Sequence, residues 1–260
     1  MIGWLILAAV LALCAVLCIR AARFKPEAGA GAAPTPVAVD TEGAVQRLAQ
    51  LVRIPTVSNY DAEKFDETQF EGFREKLREL YPRVHAMCPP VRIAHTGMLF
   101  HWKGKSSAAP VVLMAHYDVV PVDEAGWKHP PFCGEVFDGE LWGRGTLDTK
   151  ITLLGILEAA ERLMSEGFVP RNDVYFSFSG DEEVEYLKER GVRPAMVVDE
   201  GGAVVDGVFP GVKQPIAVVG IGEKGFMNVE LTARAAGGHA STPAVPSTLG
   251  MLCRAVADCE

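Results

Sequence analysis

The sequence predicts an α/β fold, a mainly parallel sheet with helices on both faces. One observation behind this is alternation. Short apolar runs such as VVLMA (111–115) and VYFSF (174–178) are separated by longer stretches whose apolar residues recur every three or four positions. A second is where the polar residues fall. His116-Tyr117-Asp118 follows VVLMA, Asp181-Glu182-Glu183 follows VYFSFSG, and Asp199 follows AMVV. In an open α/β sheet the carboxyl ends of the strands form the ligand crevice, so three strands would deliver these groups to one place. That place reads as a metal site.

The elements follow in order. Residues 1–19 are uninterruptedly apolar and, at ~1.5 Å per helical residue, roughly match the ~30 Å core of a bilayer. Arg20, Arg23 and Lys25 end the run, and no basic side chain precedes it. An uncleaved single-pass anchor over 1–20 therefore fits better than a cleavable signal peptide. The Ala-, Gly- and Pro-rich segment to residue 39 reads as a flexible tether. A helix over 42–53 carries Ala44, Val45, Leu48, Ala49, Leu51 and Val52 on one stripe and stops before Pro55. A second over 66–80 places Phe70, Phe73, Leu77 and Leu80 at spacings of three and four. Strands near 91–95 and 98–102 lead through a polar GKSSA turn into VVLMA, and 151–164 forms a helix with Leu153, Leu154, Leu157 and Ala160 inward.

Composition narrows the function. A 260-residue chain with 49% hydrophobic and 22% charged residues can bury a substantial core. A net charge of -8 without a basic cluster in the folded part excludes a nucleic-acid surface. The six cysteines show no paired spacing, so neither a disulfide scaffold nor a thiolate zinc site follows.

Each cluster has a modest explanation when taken alone. His116 and Asp118, one residue apart, share a face of an extended segment, where a carboxylate can hold the second nitrogen of a metal-bound imidazole; a solvated loop yields the same pair by chance. The acids 181–183 serve equally as a helix start or as site groups. Asp148, in GRGTLDTK, reads as an acid at a helix N-terminus, and Asp199 as a turn residue. Taken together they supply the nitrogen and carboxylate donors that a zinc hydrolase site needs.

The ordered set IPTVSN (54–59), AHYDVVPV (115–122), LWGRGTLDTK (141–150), SGDEEV (179–184), VVDEGG (197–202) and GGHASTP (237–243) resembles the aminoacylase, carboxypeptidase S and succinyl-diaminopimelate desuccinylase family of dinuclear zinc hydrolases, with the carboxypeptidase S branch nearest. The resemblance implies an aminopeptidase-like catalytic domain over 40–221 and an α+β lid or dimerisation domain begun over 222–260. It implies two zinc ions in the complete family site: His116 and Asp199 as ligands of the first, Asp148 bridging, and Glu183 as a ligand of the second. Glu182 is then the general base, Asp118 the orienting partner, and His239 a lid histidine that reaches substrate bound by a partner subunit in a homodimer. A cis peptide at Asp148-Thr149 is also implied. The activity implied is hydrolysis of an amide bond in a small peptide or N-acyl amino acid.

Two departures from the family pattern set further expectations. No histidine of this chain matches the last ligand of the second zinc, so one metal site is complete and the other has only Asp148 and Glu183. This predicts a C-terminally truncated chain of impaired activity. After Glu183 the chain runs directly into Tyr186-Leu187-Lys188 without the loop usual in relatives, which predicts a shifted metal carboxylate. The alternative is a non-catalytic fragment or degenerate homologue that binds one metal or a partner chain.

Overall fold

The computed structural model describes residues 2–23, 37–59, 65–178, 182–209, 211, 214–222, 229–234 and 247–259, with only the backbone of 2, 182–185 and 259. It divides into two compact units, Met1–Met196 and Val197–Glu260.

In the first unit, α1 (Ile2–Arg23) is apolar around its whole circumference and ends in Arg20 and Arg23. Among the described residues it is the one helix long and apolar enough to cross a membrane. Helix α2 (Thr41–Val52) begins where Asp40 accepts a hydrogen bond from the Gly43 amide at 3.0 Å, and α3 (Glu67–Leu80) where Asp66 accepts from Thr68 at 3.0 Å. Helix α4 (Pro82–Met87) has no local cap. Its first amides donate instead to Glu161, from Arg83 at 3.1 Å and Val84 at 2.9 Å.

Strands β1 (Val91–Ile93), β2 (Gly97–Trp102), β3 (Ser106–Ala115) and β6 (Asn172–Phe178) stand in the order β1-β2-β6-β3. The β3–β6 pair is parallel and joined by α5 (Ile151–Ser165), whereas β1-β2 and β2-β6 are antiparallel. The sheet is thus mixed, with its parallel pair on the side that carries His116. Strand β3 starts at Ser106, so the polar turn before it is shorter than GKSSA, and a register shift between Ser106 and Val111 absorbs the extra residues. Beside β3 the Ala195 amide donates to Pro110 at 2.8 Å and starts β7 (Met196–Val198). Between β3 and α5 lies a small hairpin, β4 (Glu135–Phe137) and β5 (Glu140–Trp142).

Alternation along the sheet sorts its side chains. Met98, Phe100, Trp102, Phe176 and Phe178 pack with Leu51, Phe73, Leu77, Leu153 and Leu157 from α2, α3 and α5. On the other face Leu99, Val112 and Tyr175 pack with Leu187 of α6 (Glu182–Glu189). Each fully buried apolar side chain contributes about 1.5–3 kcal/mol. A bidentate pair ties α2 to α5: Arg47 Nε meets Glu158 Oε1 at 2.5 Å and Nη2 meets Oε2 at 2.9 Å, with the Tyr81 hydroxyl donating to Oε1 at 2.8 Å.

Cys88 lies in this core at 2% exposure, and burial pushes its thiol up to about 11 from 9.0. The unfolded thiol ionises first, so the native state binds more protons above pH 9 and stability falls as pH rises from 9 towards 11. The full term is about 3 kcal/mol. Urea unfolding at pH 8 and 10.5 is expected to show a loss that Cys88→Ala reduces; equal losses in both chains exclude this thiol as the cause.

In the second unit, β8 (Val204–Val205) and β9 (Ile216–Ala217) form a hairpin. Helix α7 (Thr248–Cys259) begins with the Gly250 amide donating to the Ser247 hydroxyl at 3.0 Å.

Candidate metal centre

The site begins where β3 stops. Its last residue, Ala115, pairs with Phe178, the last residue of β6, so both strands release the chain at one edge of the sheet. Beyond Ala115 the backbone stays extended because Thr56 grips it. The Thr56 hydroxyl donates to Tyr117 O at 2.5 Å, the Val119 amide donates to Thr56 O at 2.8 Å, and the Ser58 amide donates to Val119 O at 2.8 Å.

In an extended segment neighbouring side chains take opposite faces. Tyr117 is wholly buried: it stacks on Phe73 at 4.7 Å, meets Phe70 edge-on at 5.8 Å, donates its hydroxyl hydrogen to Thr96 O, and accepts from Arg74 Nη1 at 3.2 Å. With that ring locked inward by α3, His116 and Asp118 turn the other way, each with a side chain 30% exposed.

Asp148 arrives from the loop between β5 and α5. Gly145 lies in the left-handed region at φ 84°, and a Cβ there would come within 2.6 Å of the Val119 side chain, so the loop packs directly against the HYD segment. Asp148-Thr149 is a cis peptide, as the motif implied. Two residues on, Lys150 is wholly buried; its ammonium donates to Leu51 O at 3.1 Å and Ile54 O at 2.8 Å and sits 5.1 Å from the Phe73 ring centre. Burial lowers this group to about 7, with the charge on Asp118 acting the other way. Lys150 thus nails the loop to the end of α2, and Asp148 projects from it with 81% of its side chain exposed.

These elements bring three of the expected residues together. His116 Nδ1 stands 3.0 Å from Asp118 O and 3.2 Å from Asp118 Oδ1, while Nε2 stands 2.8 Å from Asp148 Oδ1. Burial opposes the charge on Asp118, but its hydrogen bond with His116 and the attraction between them hold the carboxyl below its ordinary range. When Nδ1 carries the proton towards Asp118, Nε2 presents a lone pair to a carboxylate oxygen. Two acceptors 2.8 Å apart need a proton or a cation between them. The set fits zinc by its donors, one imidazole nitrogen and one exposed carboxylate, and by the oxygen acceptor behind the imidazole. Another His–Asp pair, His101 Nε2 to Asp173 Oδ2 at 3.0 Å, lies towards the opposite end of β6, and its carboxylate also accepts the Gly104 amide at 2.8 Å.

The remaining expected residues divide. Glu182 and Glu183 open α6, four residues beyond the end of β6, and their side chains lie outside the described residues, as do Asp181 and His239. Asp199 belongs to the second unit, where it follows β7, is exposed, and accepts the Glu200 amide at 2.8 Å. Tyr117, Thr56, Arg74 and Lys150 did not stand out in the sequence. The signal available for Tyr117 was its place between two polar residues in an alternating segment.

A family model described as Peptidase family M20/M25/M40 matches residues 112–256, more than half of the chain. The chain belongs to this family. The M20 chain is 38% identical over 233 residues to the "Probable carboxypeptidase S-like 2" of Dictyostelium discoideum, covering 83% of this chain and 44% of that protein. It is 36% identical over 227 residues to the human "N-fatty-acyl-amino acid synthase/hydrolase PM20D1", covering 83% and 45%. The M20 chain therefore spans less than half the length of these curated relatives. Among solved structures it is similar to the M20 family metallo-carboxypeptidase Sso-CP2 from Sulfolobus solfataricus, with 22% identity, a TM-score of 0.48, and coverage of 63% of this chain and 38% of that one.

Proposed function

We propose that this chain carries the metal-binding part of an amidohydrolase or carboxypeptidase that cleaves an amide bond in a small peptide or N-acyl amino acid. The observation that carries the reading is the His116 imidazole held between Asp118 and Asp148 at the carboxyl edge of the sheet. Membership of a peptidase family supports the reaction class. The names of the relatives, carboxypeptidase S-like and N-fatty-acyl-amino acid synthase/hydrolase, support the substrate class.

His116, Asp148 and Asp199 would hold one zinc ion, with Asp148 shared with a second that Glu183 also addresses. Bound zinc would polarise the scissile carbonyl and lower the pKa of the attacking water. Asp118 keeps the imidazole in the tautomer whose lone pair faces Asp148. Glu182 takes the water proton on a carboxylate oxygen and returns it to the leaving amine nitrogen. His239, in the lid segment 222–260, is assigned to the substrate of a partner subunit. Release of amine from N-acyl amino acids or dipeptides is expected to stop with a chelator and return with added zinc. Release that persists in chelator after metal analysis shows none bound would sink the metal-dependent reading.

We also assign α1 to the membrane, as an anchor followed by the tether. Its length, its apolar circumference and the terminal Arg20 and Arg23 support this. The full chain should stay in the membrane pellet through alkaline carbonate, and a chain starting at Asp40 should leave it. A soluble product whose N-terminus lies near Ala21 would mean a cleaved leader.

A further inference from the structure

A cavity of about 510 Å³ opens between α3, α4 and the β1–β2 edge. Three arginines line it, Arg74, Arg78 and Arg92, against a single carboxylate, Glu71. Glu71 is already spent: its Oε2 meets Arg74 at 2.7 Å and Arg92 at 3.2 Å. Arg92 shares its remaining charge with Glu67 at 3.4 Å, a residue outside the cavity lining. Arg78 is exposed and enters no salt bridge among the described residues. The lining therefore carries a surplus of positive charge.

Burial shows that this is more than a patch of surface arginines. The side chain of Arg74 is 6% exposed and is fixed by Glu71, Tyr117 and the His95 carbonyl, so the floor of the cavity is rigid. His85 forms a wall and offers no donor to a ligand in its neutral form, because Nδ1 is 2.9 Å from Tyr81 O and the ring packs edge-on against Phe100 at 5.2 Å. Pro82, Ala86 and Pro90 add apolar surface beside the cations. Guanidinium groups pair with carboxylates through two parallel hydrogen bonds, and an apolar wall rewards a hydrocarbon group that inorganic anions lack.

We propose that this cavity binds a small organic carboxylate, its charged end at Arg78 and Arg92 and its hydrocarbon part against Pro82, Ala86 and Pro90. The site does not depend on the metal chemistry above. Hexanoate is the probe, titrated by calorimetry into the full chain in lipid nanodiscs, with Arg78→Gln/Arg92→Gln nanodiscs as the reference for partitioning into lipid. Saturable binding is expected, weakened ~10-fold or more by Arg78→Gln, since each charge-assisted hydrogen bond is worth at least that factor. Arg78→Lys should lose less than Arg78→Gln. In the unmodified chain, which needs no variant to fold, hexanoate should protect Arg78 and Arg92 from phenylglyoxal. Equal hexanoate binding by the double variant and the unmodified chain, phosphate binding as tight as hexanoate, or modification of both arginines unaffected by hexanoate would each overturn the proposal.

Discussion

Glu182→Gln is expected to lower turnover by ~10²- to 10⁴-fold while zinc content and the circular dichroism spectrum stay unchanged. The amide is nearly the same size as the carboxylate but cannot accept a proton, so the substitution would remove the proposed base and little else. The assignment rests on the SGDEEV motif and on the place of Glu182 at the start of α6, just beyond the β6 end that faces Ala115. Adjacent residues on a helix diverge by about 100°, so Glu182 and Glu183 can serve different partners. Glu183→Gln should therefore reverse the pattern, losing metal along with rate. A loss of less than about tenfold in Glu182→Gln would mean that another group takes the proton. Loss of zinc from Glu182→Gln would make it a ligand.

His116→Ala should show the largest loss of metal. The imidazole is the hub of the site, 2.8 Å from Asp148 and 3.2 Å from Asp118, so removing it takes away the nitrogen donor and leaves the two carboxylates with nothing between them. Altering an outer-shell partner costs about 10- to 100-fold in affinity or activity, which is the range expected for Asp118→Asn; a direct ligand should cost at least the upper end of it. Zinc titration in a competing chelator measures both variants. His101→Ala is the control, since His101 pairs with Asp173 away from this edge and should leave zinc affinity unchanged. Equal zinc affinity in His116→Ala and the unmodified chain would remove His116 from the site. Affinity should also fall with pH, because imidazole and carboxylate must shed protons to bind.

Much of the fold was legible because its signals are local. Periodicity located α2, α3 and α5 to within about two residues at each end, since a helix sorts its own apolar residues onto one stripe whatever it packs against. Helix α4 was not legible, because the carboxylate that receives its first amides is Glu161, far along the chain on α5. The hairpin β4–β5 escaped for a similar reason, its three-residue strands being too short to show alternation. The same division runs through the site. His116, Asp118 and Asp148 were named from spacing and motif, whereas the residues that aim them were not.

The sequence by itself determined the helices α2, α3 and α5 and the strands of the central sheet, which polar residues end those strands, and which family the chain resembles. All of these are properties of short stretches, set by side-chain chemistry and period. Only the tertiary structure decided that β2 lies beside β6, that Tyr117 is clamped by α3 so that its neighbours face outward, and that Lys150 is buried on the carbonyls of Leu51 and Ile54 to hold the Asp148 loop. A lysine in a GRGTLDTK loop would ordinarily be solvated. It is buried here because residues about a hundred positions earlier bring two carbonyl oxygens to it, and no local pattern encodes which distant backbone will satisfy a buried polar group.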